Sequence, residues 1–238
     1  MNSVPGIAGI IGAAGELART GLLWDSLFTS LGRVMRGLAI GLALGVPAGL
    51  FSGISKVVEL VLDKPIQALR AIPFNALTPL LLIFFGVGEP MKISLIVIGV
   101  FVPIYLNTRA GVIHFDRKLL ELVSVYKIPK LVIAWEVLLK GVLPSILTGL
   151  RFAFAIAWIA LVVCETVNAK TGIGYMLYRA QSFSRIDQQF VCIILYAVLG
   201  LLTDGIVRLL ESAATRWKGR EVSASRINNK DNSTGMSD

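Results

Sequence analysis

Runs of apolar residues separated by short charged or turn-rich segments set the pattern of the chain. "GLAIGLALGVPAGLFSGIS", Gly37 to Ser55, carries no charge and places Gly37, Gly41, Gly45 and Gly49 four residues apart, a spacing that suits close helix contact. "AIPFNALTPLLLIFFGVG", Ala71 to Gly88, is interrupted by Pro73 and Pro79. "ISLIVIGVFVPIYLNT" covers Ile93 to Thr108, and "GVLPSILTGLRFAFAIAWIALVVC" covers Gly141 to Cys164 with Arg151 near its start. "FVCIILYAVLGLLT", Phe190 to Thr203, continues through Asp204 toward Leu210. A spanning helix needs about 20 mostly apolar residues. Backbone groups in lipid must be satisfied within the segment, so such runs form helices that pack as a bundle. The pattern predicts an all-α, polytopic membrane helix bundle of about five transmembrane helices without a soluble domain.

Composition points the same way. Of 238 residues 55% are hydrophobic and 16% charged. The mean hydropathy of +0.75 is too high for an ordinary soluble domain. The net charge is +8, and its basic residues are scattered among apolar spans instead of lining a groove, which excludes a nucleic-acid binder. Arg109, Arg117, Lys118, Lys127, Lys130 and Lys140 follow the third run, and Arg216, Lys218, Arg220, Arg226 and Lys230 follow the last. The positive-inside rule puts both segments in the cytoplasm, and two intervening spans make the placements agree. Lys56 to Lys64 then forms an inner loop, "ETVNAKTGIGYMLYRAQSFSRIDQQ" an outer one, and the N-terminus lies outside. Arg33 and Arg36 precede the first run on that unfavourable side.

The polar residues within these runs are the candidates for chemistry. Glu165 ends the fourth run, where a carboxylate is costly; it reads either as an interfacial acid or as a functional group with a structural or gating role. Asp204 and Arg208 are spaced as an i,i+4 ion pair, and Arg151 is read as paired or reaching the headgroups. In "RAIPFNALTP", Pro73 and Pro79 free backbone carbonyls and Asn75 offers an amide, a combination tolerated at depth where it lines a cavity. Pro73, Asn75, Pro79 and Glu165 are therefore the candidate translocation-pathway residues. "TGIGY", Thr171 to Tyr175, reads as a turn orienting a short helix. The single histidine, His114, has no second ligand to make a metal site, and no phosphate-binding loop is present. Cys164 and Cys192 sit in apolar runs, where inert thiols are the default. The chain is thus expected to be no enzyme and to hold no metal or cofactor.

"ELVSVYKIPKLVIAWEVLLKGVLP", Glu121 to Pro144, is basic and partly amphipathic, with Pro129 breaking its helical spacing. Two short helices turning at "KIPK" follow, lying at the headgroups or docking another protein. The segment resembles the Glu-Ala-Ala loop of the integral-membrane subunits of bacterial ATP-binding-cassette importers, with Glu121 as the Glu and "VLP" at Val142 to Pro144 as its close. "LDKPIQALRAIPFNALTPLLLIFFGVGEPMKISLIVIGVFVPIYLNTRAGV", "LPSILTGLRFAFAIAWIALVVCETVNAKTGIGYML" and "DQQFVCIILYAVLGLLTDGIVRLLE" are similar to the sulfonate, taurine and nitrate branch, so the resemblance covers about Leu23 to Trp217.

The resemblance implies a type I importer permease in the bacterial inner (cytoplasmic) membrane that moves a small anion such as an alkanesulfonate, taurine or nitrate. It implies two permease copies as a homodimer, two cytoplasmic ATPase subunits that hydrolyse ATP, and an external solute-binding protein. Glu121, Leu122, Val123, Tyr126, Lys127, Ile128 and Pro129 would form the ATPase-coupling loop. The pattern departs from the family there: Leu122 and Val123 replace alanines, Lys127 stands where the family has glycine, and Leu139-Lys140 replaces a Leu-Pro. An alternative, a non-transporting or weakly coupled scaffold derived from such a subunit, stays open. The family's first span has no counterpart in "SVPGIAGIIGAAGELARTG"; Val4 to Gly15 is too short to cross and reads as an interfacial helix outside. The expected organisation is an N-terminal interfacial segment (1–30), a transmembrane domain (31–215) with the coupling loop at about 111–140, and a polar cytoplasmic tail (216–238).

Overall fold

The structure, a computed structural model, describes the backbone of residues 5–115 and 139–234, and side chains there except at 74, 75, 139, 140, 168 and 215–234. Among the described residues eight helices follow one another: α1 (Ile7–Arg19), α2 (Leu22–Ile54), α3 (Lys56–Ala71), α4 (Phe74–Phe85), α5 (Glu89–Ile113), α6 (Leu139–Asn168), α7 (Ile173–Ser182) and α8 (Ile186–Thr234). Four of them are long and apolar enough to cross a membrane: α2, α5, the Gly141–Val167 part of α6 and the Ile186–Ala214 part of α8. Helices α3 and α4 together make a fifth candidate, bent by 116° at the break between them.

Glycine packing fixes the direction of the central helices. Gly37, Gly41, Gly45, Gly49 and Gly53 of α2 face Ile96, Val100, Ile104, Thr108 and Val112 of α5, each pair 59 residues apart. A Cβ at Gly41 would lie 2.5 Å from Val100 Cγ1, and one at Gly49 would lie 2.8 Å from the Tyr105 carbonyl oxygen, so only glycine allows the two backbones this close. The constant offset makes α2 and α5 parallel. The chain leaves α2 at one end of the bundle and enters α5 at the other, so α3 and α4 must carry it back across. The bent pair is therefore a crossing, the fifth among the described residues.

The remaining helices alternate. Gly111 faces Ser145 whereas Gly149 faces Asn107, so α6 runs antiparallel to α5. Arg151 pairs with Asp204 while Trp158 meets the Tyr196 ring edge-on at 6.3 Å, so α8 returns along α6. The ends of α2, α5 and α8 thus share one face with the start of α6. Both basic segments attach to that face, which agrees with their common cytoplasmic placement.

The structure adds detail to these expectations. The first span begins at Leu22, so Arg33 and Arg36 lie inside a continuous helix, and the division expected at residue 30 falls within it. At about 50 Å, α2 exceeds the hydrocarbon thickness and projects outward. Lys56 to Lys64 is the first half of a helix, not a loop, because Glu59 and Asp63, one turn apart, both reach Arg109 of α5, at 2.6 and 3.5 Å. The tail is helical as far as Thr234, with no proline or glycine between Gly219 and Gly235 to stop it. The short N-terminal helix α1 does not lie free, since Ala13 and Leu17 pack with Ile173, Met176, Val191 and Cys192.

Candidate functional site

A buried charge cluster ties the outer ends of α2, α5, α6 and α7 together. Arg33, 2% exposed, sits on the inward face of α2 among Val34, Gly37 and Leu38. Its Nε donates to Glu89 Oε2 at 2.9 Å and its Nη2 to Glu89 Oε1 at 2.5 Å. Its Nη1 donates to Glu165 Oε1 and to the Thr171 carbonyl oxygen, both at 2.7 Å. Lys92, one turn along α5 and also buried, donates to Glu89 Oε1 at 3.0 Å. Two cations and two carboxylates make the set neutral, which is the condition for holding charges out of water.

Glu165 is the centre of this arrangement. Its carboxylate is buried, lies 2.8 and 2.9 Å from Ser30 Oγ, and accepts the Gly174 N–H at 2.8 Å. Ser30 Oγ in turn accepts the Ile173 N–H at 2.9 Å. Both residues satisfy amides in the first turn of α7, which a helix cannot satisfy by itself and where a negative charge is favoured. Gly172 makes the approach possible: its φ of +118° is a conformation suited to glycine, and a Cβ there would strike the Glu165 carboxylate. Among the described residues both carboxylate oxygens are engaged, by Arg33, Ser30 and the Gly174 N–H. The contacts of Glu165 tie α6 to α2 and to the start of α7.

Only part of this was readable beforehand. Glu165 stood out in the sequence, but Arg33, Glu89, Lys92 and Ser30 did not, because each looks like an ordinary residue at the edge of an apolar run. Only together with Glu165 do the charges of Arg33, Glu89 and Lys92 sum to zero. Arg151 proves to be paired, its Nε 2.7 Å from Asp204 Oδ1, and Asp204 also holds Arg208 at 2.8 Å, as the i,i+4 spacing predicted. Cys164 and Cys192 are buried free thiols. Among the described residues no group of three His, Cys, Asp or Glu could hold a metal ion.

The proline-rich segment lies at the break of the bent crossing. Pro73 caps the N-terminus of α4 in extended geometry, with no side chain capping the first turn. Asn75 belongs to that turn; its side chain is outside the described set. Pro79 lies inside α4 and lacks the N–H that would bond the Asn75 carbonyl. Pro73, Asn75 and Pro79 thus cluster at one point of the bundle, and Glu165 belongs to the separate outer clamp. Glu121, Leu122, Val123, Tyr126, Lys127, Ile128 and Pro129 lie outside the described residues. The helices flanking them, α5 and α6, meet side by side at the cytoplasmic end, where Gly111 faces Ser145 and Val142.

Comparison with known proteins bears on this geometry. Residues 45–216 match the family model described as "Binding-protein-dependent transport system inner membrane component". The chain is 43% identical to the putative aliphatic sulfonates transport permease protein SsuC of Escherichia coli (strain K12), over 90% of this chain and 81% of that one. It is 34% identical to the taurine transport system permease protein TauC of the same organism, over 83% and 72% of the two chains. Identity to the nitrate import permease protein NrtB of Synechocystis sp. is 32%, over 78% and 68%. Among solved structures, inward-facing conformations of the MetNI methionine ABC transporter share the fold with a TM-score of 0.73 at 16% identity, over 83% of this chain and 98% of that one.

Proposed function

The chain belongs to the binding-protein-dependent transport inner membrane component family, as an ABC importer permease of the sulfonate, taurine and nitrate branch, and from that premise we propose that it conducts a small anion into the cell. The observation that carries this reading is the identity to sulfonate, taurine and nitrate permeases along most of the chain. It is a multi-pass inner-membrane subunit and works with an ATPase and a solute-binding protein as partners of its family do.

The finer mechanism is alternating access driven by ATP hydrolysed on a separate subunit, with two ATPase copies beneath a permease homodimer. Glu121, Leu122, Val123, Tyr126, Lys127, Ile128 and Pro129 form the element that the ATPase moves. ATP drives transport only if the two packings of the bundle bind the ATPase states with different free energy, and this loop is where that difference enters. Pro73, Asn75 and Pro79 line the pathway at the break, and Glu165 holds its outer end in register. Proteoliposomes containing the permease and its ATPase, supplied with loaded binding protein, test the reading. Anion uptake with stimulated ATP hydrolysis is the expected result. Assembly with the ATPase but no uptake of alkanesulfonate, taurine or nitrate would overturn it in favour of a non-transporting scaffold.

A further inference from the structure

Arg70, like Arg36 and Lys64, is held by no carboxylate among the described residues, and Arg70 also lines a cavity. Arg33 and Lys92 are held by carboxylates, as are Arg109, Arg151 and Arg208. Arg70 is exposed and makes no ion pair or hydrogen bond among the described residues. It closes the last turn of α3, immediately before the break at Pro73.

Its depth follows from the packing of α3 on α5. Glu59 meets Arg109 near the cytoplasmic end of α5, and Ile66 packs with Val102 and Tyr105. One turn further on, Arg70 lines a cavity of about 350 Å³ with Val102, Pro103, Asn107, Phe152 and others, at the level of the middle and inner half of α5. None of the lining residues is acidic. A lone cation at that depth is costly in lipid unless it meets water or a counter-ion. The cavity is large enough for a small organic anion, and the uncapped first turn of α4 begins beside Arg70 in the chain.

We propose that Arg70 is the cationic contact for the transported oxyanion, binding its sulfonate or nitrate oxygens from the wall of this cavity midway through the bundle. A guanidinium suits the task because its planar fork meets two oxygens of one anion while staying charged. The assignment rests on the importer reading above. The break at Pro73 follows directly on Arg70, so α3 ends with its charge at the cavity.

The test uses the full chain reconstituted with its ATPase and carrying Arg70→Cys. Cys164 and Cys192 are buried and free, so the introduced thiol reports separately. A water-soluble, cationic methanethiosulfonate should label it, and in Phe152→Cys, which lines the same cavity and keeps Arg70, ethanesulfonate should slow labelling severalfold. In the coupled system, Arg70→Gln should lower ethanesulfonate uptake roughly 10- to 100-fold, the worth of a hydrogen bond to a charged group. Arg70→Lys should restore part of the loss, and coupling the cationic reagent to the Arg70→Cys thiol should do the same where a neutral methyl reagent does not. A thiol that resists the aqueous reagent, as when the native side chain reaches lipid phosphate, would overturn the proposal. So would labelling of Phe152→Cys that is indifferent to ethanesulfonate, or uptake unchanged in Arg70→Gln. The labelling does not require ATP-driven uptake, so a wild type that fails to import would refute the importer reading while the Arg70 assignment is still decided.

Discussion

Removing Glu165 should loosen the outer end of the bundle out of proportion to one side chain. Glu165→Ala deletes the acceptor of Arg33 Nη1, Ser30 Oγ and the Gly174 N–H, while Arg33 keeps Glu89 and the Thr171 carbonyl. Breaking a buried pair from one side costs about 3–5 kcal/mol, and the surviving Glu89 contact favours the lower end. A loss of about 3 kcal/mol corresponds to a shift on the order of 100-fold in the folding equilibrium. Arg33→Met should cost a similar amount, since it leaves Glu165 buried with only Ser30 and Gly174. The double variant Arg33→Met, Glu165→Met strands neither charge and leaves Glu89 with Lys92. It should be less destabilised than the sum of the two single variants by about 1–3 kcal/mol. Equilibrium unfolding in mixed micelles can be followed through Trp158, which packs on Tyr196. Effects that add to within about 0.5 kcal/mol would show that the two side chains act independently and refute the clamp.

The glycine stripe gives a pair of predictions of opposite sign. Gly41→Ala should destabilise by about 1–3 kcal/mol because the methyl meets Val100, whereas Gly12→Ala in α1, with open space around it, should stabilise by up to about 1 kcal/mol. The same unfolding assay reads both. Maleimide should label neither Cys164 nor Cys192 in the folded protein and both after denaturation, as mass spectrometry would register. Glu121→Lys should abolish the stimulation of ATP hydrolysis by loaded binding protein while insertion and yield stay unchanged; undiminished stimulation would remove Glu121 from the coupling element.

How far the site was legible depended on whether its signal was local. The proline and asparagine of the α3–α4 break announce themselves within seven residues, and the Asp204–Arg208 pair within one turn. The Arg33 clamp does not, because its partners lie 56 and 132 residues away. The start of the first long helix has no local mark either. Charge at positions 33 and 36 looks like the end of an apolar run, yet Arg33 is neutralised by contact and lets the helix run from Leu22.

By itself the sequence determined that the chain crosses a membrane about five times as helices, and it predicts which ends face the cytoplasm. Both are answers to the solvent: apolar length is set by bilayer thickness, and basic residues by the side on which they remain. Tertiary structure alone decided that the α2 glycines face α5, that the bent pair completes a crossing, and that Arg70 is left without a partner among the described residues. A span in lipid is apolar on every side, so its hydrophobic pattern does not mark the face it buries. Which residues meet is fixed by the axial register of one helix against another, and register exists only once the helices are packed.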